Sequence, residues 1–196
     1  MSKVCRINDD ICYIEGYESP LSSDIALIRN EDSTWLFDVG MGPEIIKDLS
    51  GSYKVVLSHF HPDHVGNIEK VKCDNLYVSK ETFKHIHVGE IVESDLYFGN
   101  IHIFLLPSSH AKGCLGLEVG GEYAFLGDAL CPKFKDGNRI YNAQLLKTQI
   151  DLLKSLKAKY VLLSHEMGSI IDKTEKISEL ESIYKMRNKD SFEIVF

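Results

Sequence analysis

Three imidazoles and one carboxylate fall within six positions, His59, His61, Asp63 and His64, in the run Leu57-Ser58-His59-Phe60-His61-Pro62-Asp63-His64-Val65-Gly66. The run follows an apolar segment that reads as a strand. In an extended chain side chains alternate between faces, so His59, His61 and Asp63 should project together as the strand opens into a loop, with His64 beyond the turn. That layout can feed one metal from His59 and His61 and a neighbouring metal from Asp63 and His64, because zinc accepts imidazole nitrogen and carboxylate oxygen alike. A solvated polar loop with fortuitous histidines is the weaker reading, since HxHxDH is a specific pattern.

Four ligands do not complete two metal sites, and further donors follow apolar, strand-like runs three times. Ile101 to Leu106 leads through Pro107-Ser108-Ser109 to His110, Glu122 to Gly127 leads to Asp128, and Tyr160 to Ser164 leads to His165. Singly, a His after a strand is an ordinary polar cap; three such donors after HxHxDH make a constellation.

These motifs, in this order and together with the strand end Leu36-Phe37-Asp38-Val39-Gly40, resemble the metallo-β-lactamase superfamily over roughly residues 3 to 170. The resemblance implies that His59, His61 and His110 hold a first metal, that Asp63, His64 and His165 hold a second, and that Asp128 bridges both. The cofactors expected are two Zn²⁺, with Fe or Mn as alternatives. A hydroxide held between the ions would be the nucleophile, with Asp63 and Asp128 as the catalytic carboxylates. Asp38 has two open readings: it supports a ligating imidazole from behind, or it caps the helix that Pro43-Glu44-Ile45-Ile46 would start.

Asp at position 128 is similar to the glyoxalase II and lactonase branches, and unlike the β-lactam-cleaving members with Cys at that place. The expected reaction is hydrolysis of a small ester, thioester or lactone. A glutathione thioester is not expected, because the hydrolases that take it carry an added helical domain and only about thirty residues follow His165 here. A small phosphodiester is an alternative substrate. An iron-dependent, persulfide dioxygenase-like oxidoreductase is the rival class, since it uses ligands corresponding to His59, His110 and Asp128, and a metal-stabilised binding or sensing protein without turnover is a third reading. The loop Ser108-Ser109-His110-Ala111-Lys112-Gly113-Cys114 departs from the family's Pro-Gly-His-Thr-Pro-Gly-Ser type.

The elements that must position these residues can be read coarsely. Strands are expected near 3–8, 11–16, 24–29 and 34–38, a helix over 43–49, and a strand at 53–58. A short helix through Ile68 and Val71, a strand at Leu76-Tyr77-Val78 and a helix from Ser79 follow. Strands cluster from 89 to 126, helical stripes cover 141–158 and 173–187, and a strand at 160–164 lies between them. The stretch 131–140 reads as irregular. Two strand clusters, each followed by helices, predict a mixed α/β fold of the α+β type, an αββα sandwich of two face-to-face sheets.

Size and composition agree with one domain over residues 1–196 and a cytoplasmic setting. The 196 residues carry 44% hydrophobic residues, without a linker or a signal-peptide pattern, and no apolar stretch nears the roughly 18 residues that span a bilayer. Five scattered cysteines read as reduced thiols; Cys114 and Cys131 fall near the expected site, where burial is a better reading than ligation. His85, His87 and His102 stand in no ligand spacing. A formal charge of −7 makes nucleic acid a poor partner and leaves a small-molecule substrate as the expected one. Lys112, Lys133, Lys135 and Arg139, with Tyr141 or Phe134 as an apolar wall, offer a basic rim for an anionic substrate, though solvated surface charge is the simpler reading.

Overall fold

The computed structural model describes residues 3–31, 33–188 and 190–195. The first half runs β1 (Val4–Arg6), β2 (Ile11–Ile14), β3 (Tyr17–Glu18), β4 (Leu21–Ser22), β5 (Ile25–Asn30), β6 (Ser33–Phe37), α1 (Pro43–Ile46), β7 (Tyr53–Val56), α2 (Pro62–Val65), β8 (Cys73–Val78), α3 (Lys80–Ile86) and β9 (Glu90–Ile91). Apart from the separate β3–β4 hairpin, its strands form one sheet in the order β1-β2-β5-β6-β7-β8-β9. The pairs up to β5–β6 are antiparallel; β6 to β9 run parallel, which demands crossovers, and these contain α1, α2 and α3.

The second half begins with the antiparallel meander β10 (Leu96–Phe98), β11 (Ile101–Leu106), β12 (Cys114–Val119) and β13 (Tyr123–Phe125). After β14 (Lys133–Lys135), β15 (Asn138–Asn142) and α4 (Ala143–Ser155), the strand β16 (Tyr160–Leu162) joins β13 in parallel and β17 (Ile171–Asp172) pairs with β16. The chain then forms α5 (Lys173–Lys185) and β18 (Glu193–Val195), and β18 pairs with β15. Every residue of β12 is buried, as expected of a strand covered on both faces.

Three apolar cores define four layers. Trp35, Phe37, Ile103, Leu117, Phe125 and Leu162 come from both sheets and fill the space between them. Val55, Leu57 and Val78 pack on Ile45 and Phe83 on one outer face, whereas Leu126 and Val161 pack on Leu146, Ile150, Leu153 and Leu180 on the other. The αββα order follows from these contacts. N-caps set the helix starts: Ser79 accepts from the Thr82 amide, Asn142 from Leu145, and Asp172 from Thr174 and Glu175.

Three expected elements differ. The helix after the metal motif is α2, four residues that begin inside the motif because Pro62 occupies its first turn; residues 66–70 are turns. The helix expected over 141–158 starts at Ala143, since Tyr141 and Asn142 belong to β15. The stretch 131–140 is not irregular but holds the β14–β15 hairpin. Among the described residues no helix is long and apolar enough to cross a membrane.

Candidate metal centre

The motif residues leave the strand pattern after β7. His61 stands in extended conformation at the N-terminal boundary of α2, so Asp63 and His64 are aimed by a helical turn and not by strand alternation. The later donors come from the second sheet: His110 from the β11–β12 loop, Asp128 from just past β13, and His165 from just past β16, in left-handed conformation (φ 64°). All seven meet at one edge of the sandwich in two groups, His59 with His61 and His110, and Asp63 with His64, Asp128 and His165. Within each group the ligand atoms lie within 4.8 Å of one another.

Short distances join the groups. His110 Nε2 faces His61 Nδ1 at 3.2 Å and Asp128 Oδ2 at 3.5 Å. The same Asp128 oxygen lies 3.3 Å from His64 Nε2 and 3.7 Å from His165 Nε2, while Asp63 Oδ2 is 3.3 Å from His64 and 3.2 Å from His165. Asp128 therefore lies between the two groups.

The donor directions are set from behind. Asp38 does not cap α1, whose N-cap is Gly42 with no side-chain bond. The Asp38 carboxylate, fully buried, accepts from the Ser58 amide (2.7 Å) and hydroxyl (2.8 Å) and pairs with His64 Nδ1 at 2.7 Å. With its hydroxyl proton committed to Asp38, Ser58 Oγ is left to accept from His59 Nδ1 at 3.0 Å. Both imidazoles thus turn Nε2 toward the cluster. His59 Nε2, His64 Nε2 and Asp128 Oδ1 are buried without a hydrogen-bond partner, a state that buried polar atoms rarely keep unless a cation completes them. The donor set, five imidazoles plus two carboxylates, fits two divalent ions.

Electrostatics divide the groups. Burial pushes His59 down to about 2, with the neighbouring His64 charge adding to it, and burial likewise lowers His61 and His110; all three are neutral, metal-ready imidazoles. His64 is raised well above the ordinary histidine value, because Asp38, Asp128 and Asp63 outweigh its burial, and the bond to Asp63 raises His165. The same imidazoles hold Asp63 and Asp128 below the usual carboxylate range in spite of their burial.

Ser58 was not singled out by spacing; its position directly before His59 was the available signal. Gly127, before Asp128, has φ 56°, and a β-carbon there would lie 2.7 Å from Ser58 Cβ, so glycine lets the two strand ends close. Phe60, between two ligands, stacks on His85 at 4.1 Å between ring centroids, which brings His85 to the rim. His87 ends α3 in left-handed conformation, and His102 bridges Asp95 and Glu118 on β11. Neither cysteine near the motifs joins a ligand group among the described residues. Cys114 is buried, donates to the Ala111 carbonyl and is pushed up to about 12, and burial pushes Cys131 up to about 11. Of the residues named for a basic rim, Lys112 pairs with Glu81 at 3.3 Å, Lys133, Lys135 and Arg139 share the β14–β15 hairpin, where Arg139 lies over Phe134, and Tyr141 is buried, its hydroxyl donating to the Leu130 carbonyl.

No protein-family profile matches the chain. It is 30% identical over 155 residues to a hydroxyacylglutathione hydrolase of Buchnera aphidicola subsp. Schizaphis graminum, a match covering 71% of this chain; the chain spans 60% of that relative's length. Among solved structures, the metallo-β-lactamase FIM-1 of Pseudomonas aeruginosa in its mono-zinc form aligns with TM-score 0.71 at 13% identity, over 94% of this chain and 95% of the other. The flavo di-iron protein of Thermotoga maritima aligns with TM-score 0.67 at 15% identity, over 96% and 64%. The chain has the metallo-β-lactamase fold, and its sequence is similar to that hydroxyacylglutathione hydrolase over the stretch aligned.

Proposed function

We propose that the chain is a hydrolase that holds two divalent cations, zinc first among them, and cleaves a small ester, thioester or lactone. The observation that carries this reading is the pair of adjacent donor groups with Asp128 between them and three unpartnered buried donor atoms. When bound, such a cation pair supplies an ionised water at neutral pH and polarises the scissile carbonyl. His59, His61 and His110 would hold one ion, Asp63, His64 and His165 the other, with Asp128 shared. Asp63, held below the usual carboxylate range beside His165 and His64, would orient the attacking water. Asp38 and Ser58 hold the donor directions and so the spacing of the reacting groups.

A cavity of about 320 Å³ under the β3–β4 hairpin is lined by Tyr17, Glu18, Leu21 and His165. It is at the small end of ligand sites, which supports a small acyl substrate. The name of the relative, hydroxyacylglutathione hydrolase, places acyl conjugates of thiols first in a screen. A cytoplasmic setting belongs to the same proposal, supported by five unpaired cysteines. The test is elemental analysis of protein purified without added metal or chelator, followed by thioester, lactone and ester assays. Two zincs per chain and a hydrolytic activity that a chelator abolishes and zinc restores are expected. About one iron per chain with oxygen uptake on a persulfide would replace the hydrolase with an oxidoreductase.

A further inference from the structure

Ser22, Ser23 and Asp24, just before β5, touch the segments that carry Asp63 and His165 and the loop that follows Asp38. Ser22 Oγ accepts from the Met41 amide at 2.9 Å, in the loop that follows Asp38. The Ser23 amide donates to the Asp63 carbonyl at 3.0 Å. Asp24 reaches furthest: Oδ2 accepts from the Met167 amide at 3.0 Å, two residues past His165, and Oδ1 accepts from the Gly16 amide at 2.7 Å, at the root of the β3–β4 hairpin. Asp24 is 4% exposed, so its carboxylate is held almost wholly by these two amides.

We infer that Asp24 is a positioning residue for the second metal site, acting through His165. His165 follows β16 with no helix or strand of its own and sits in a left-handed conformation that a β-carbon-bearing residue seldom adopts, so something outside the segment must fix it. The Met167–Asp24 bond is a long-range tie that does so, joining residues 143 positions apart. The same carboxylate anchors Gly16, where a β-carbon would lie 2.1 Å from the Ser22 carbonyl oxygen, so the hairpin that walls the His165 cavity is seated by the same group. Asp24 touches none of the donors of the first group, so its effect is directed at one ion of the pair.

The inference rests on the two-ion reading proposed above, and the test separates the two. Zinc titrations against a chromophoric chelator give the affinities of the first and second equivalents for wild type, Asp24→Asn and Asp24→Ala. The second equivalent should weaken by about 10–100-fold in Asp24→Ala and by less in Asp24→Asn, which keeps one acceptor oxygen, while the first equivalent stays within about twofold and so reports an intact fold. Equal weakening of both equivalents, or no weakening of the second, would overturn the role of Asp24 while leaving two ions in place. Wild-type protein that takes up one equivalent only would overturn the two-ion reading itself, and the inference with it.

Discussion

The Ser58 hydroxyl has Asp38 Oδ2 at 2.8 Å, His59 Nδ1 at 3.0 Å and His64 Nδ1 at 3.3 Å around it, so it fixes the tautomer of His59 while Asp38, at 2.7 Å, fixes that of His64. Ser58→Ala removes the partner of His59 Nδ1 but leaves the Asp38–His64 bond. Zinc affinity should therefore fall by about 10–100-fold at the first site and by less at the second; competitive chelator titration reads both. Asp128→Ala should lose occupancy of both sites together with activity, and two metals per chain with full activity would remove Asp128 from the ligand set. Protonation orders the two sites. The first group holds imidazoles lowered by burial, to about 2 for His59, whereas His64 and His165 are raised by their carboxylates. A raised pKa means that protons compete with metal from a higher pH. On stepwise dialysis toward acid, zinc per chain should drop from two to one before it drops from one to none.

Where β7 and β13 end side by side, the sheets hand their donors to one another, and Gly127 is the point of closest approach. Gly127→Ala meets both a positive φ and the Ser58 side chain, so it should cost about 1–3 kcal/mol in urea unfolding and weaken both metals through Ser58. Much of this arrangement was legible in the sequence. The seven candidate donors that meet at the sheet edge stand in one motif after an apolar run or close behind three later ones, and α4 and α5 show their helical stripes. The hairpin β14–β15 was not legible, because its strands are exposed at most positions and part of its pairing is with β18, where Ile140 meets Val195 across the C-terminal helix. The orientation of Asp63 and His64 was misread because a proline starts α2 inside the motif, where strand alternation no longer applies. Asp24 and Ser58 are not legible for a related reason: their partners lie far along the chain or behind the candidate ligands, and a short polar residue before a strand or motif carries no signal of such a bond.

At the scale of the molecule, ions that bind the folded chain alone should stabilise it. For a single site at a free-ion level about 1,000 times its Kd, linkage gives about 4 kcal/mol. At roughly 2–4 °C per kcal/mol for a chain of this size, chelation should lower Tm by roughly 8–16 °C. Calorimetry with and without chelator measures it. The two large sheets take their strands from successive halves of the chain, β1, β2 and β5 to β9 in the first and β10 to β13, β16 and β17 in the second, and the candidate donors divide in the same way. His59, His61, Asp63 and His64 lie before the turn at 92–95, and His110, Asp128 and His165 lie after it. Neither half holds all the donors of either group. A chain cut within that turn should thus become a zinc-gated complementation pair, two fragments whose reassembly reports free metal.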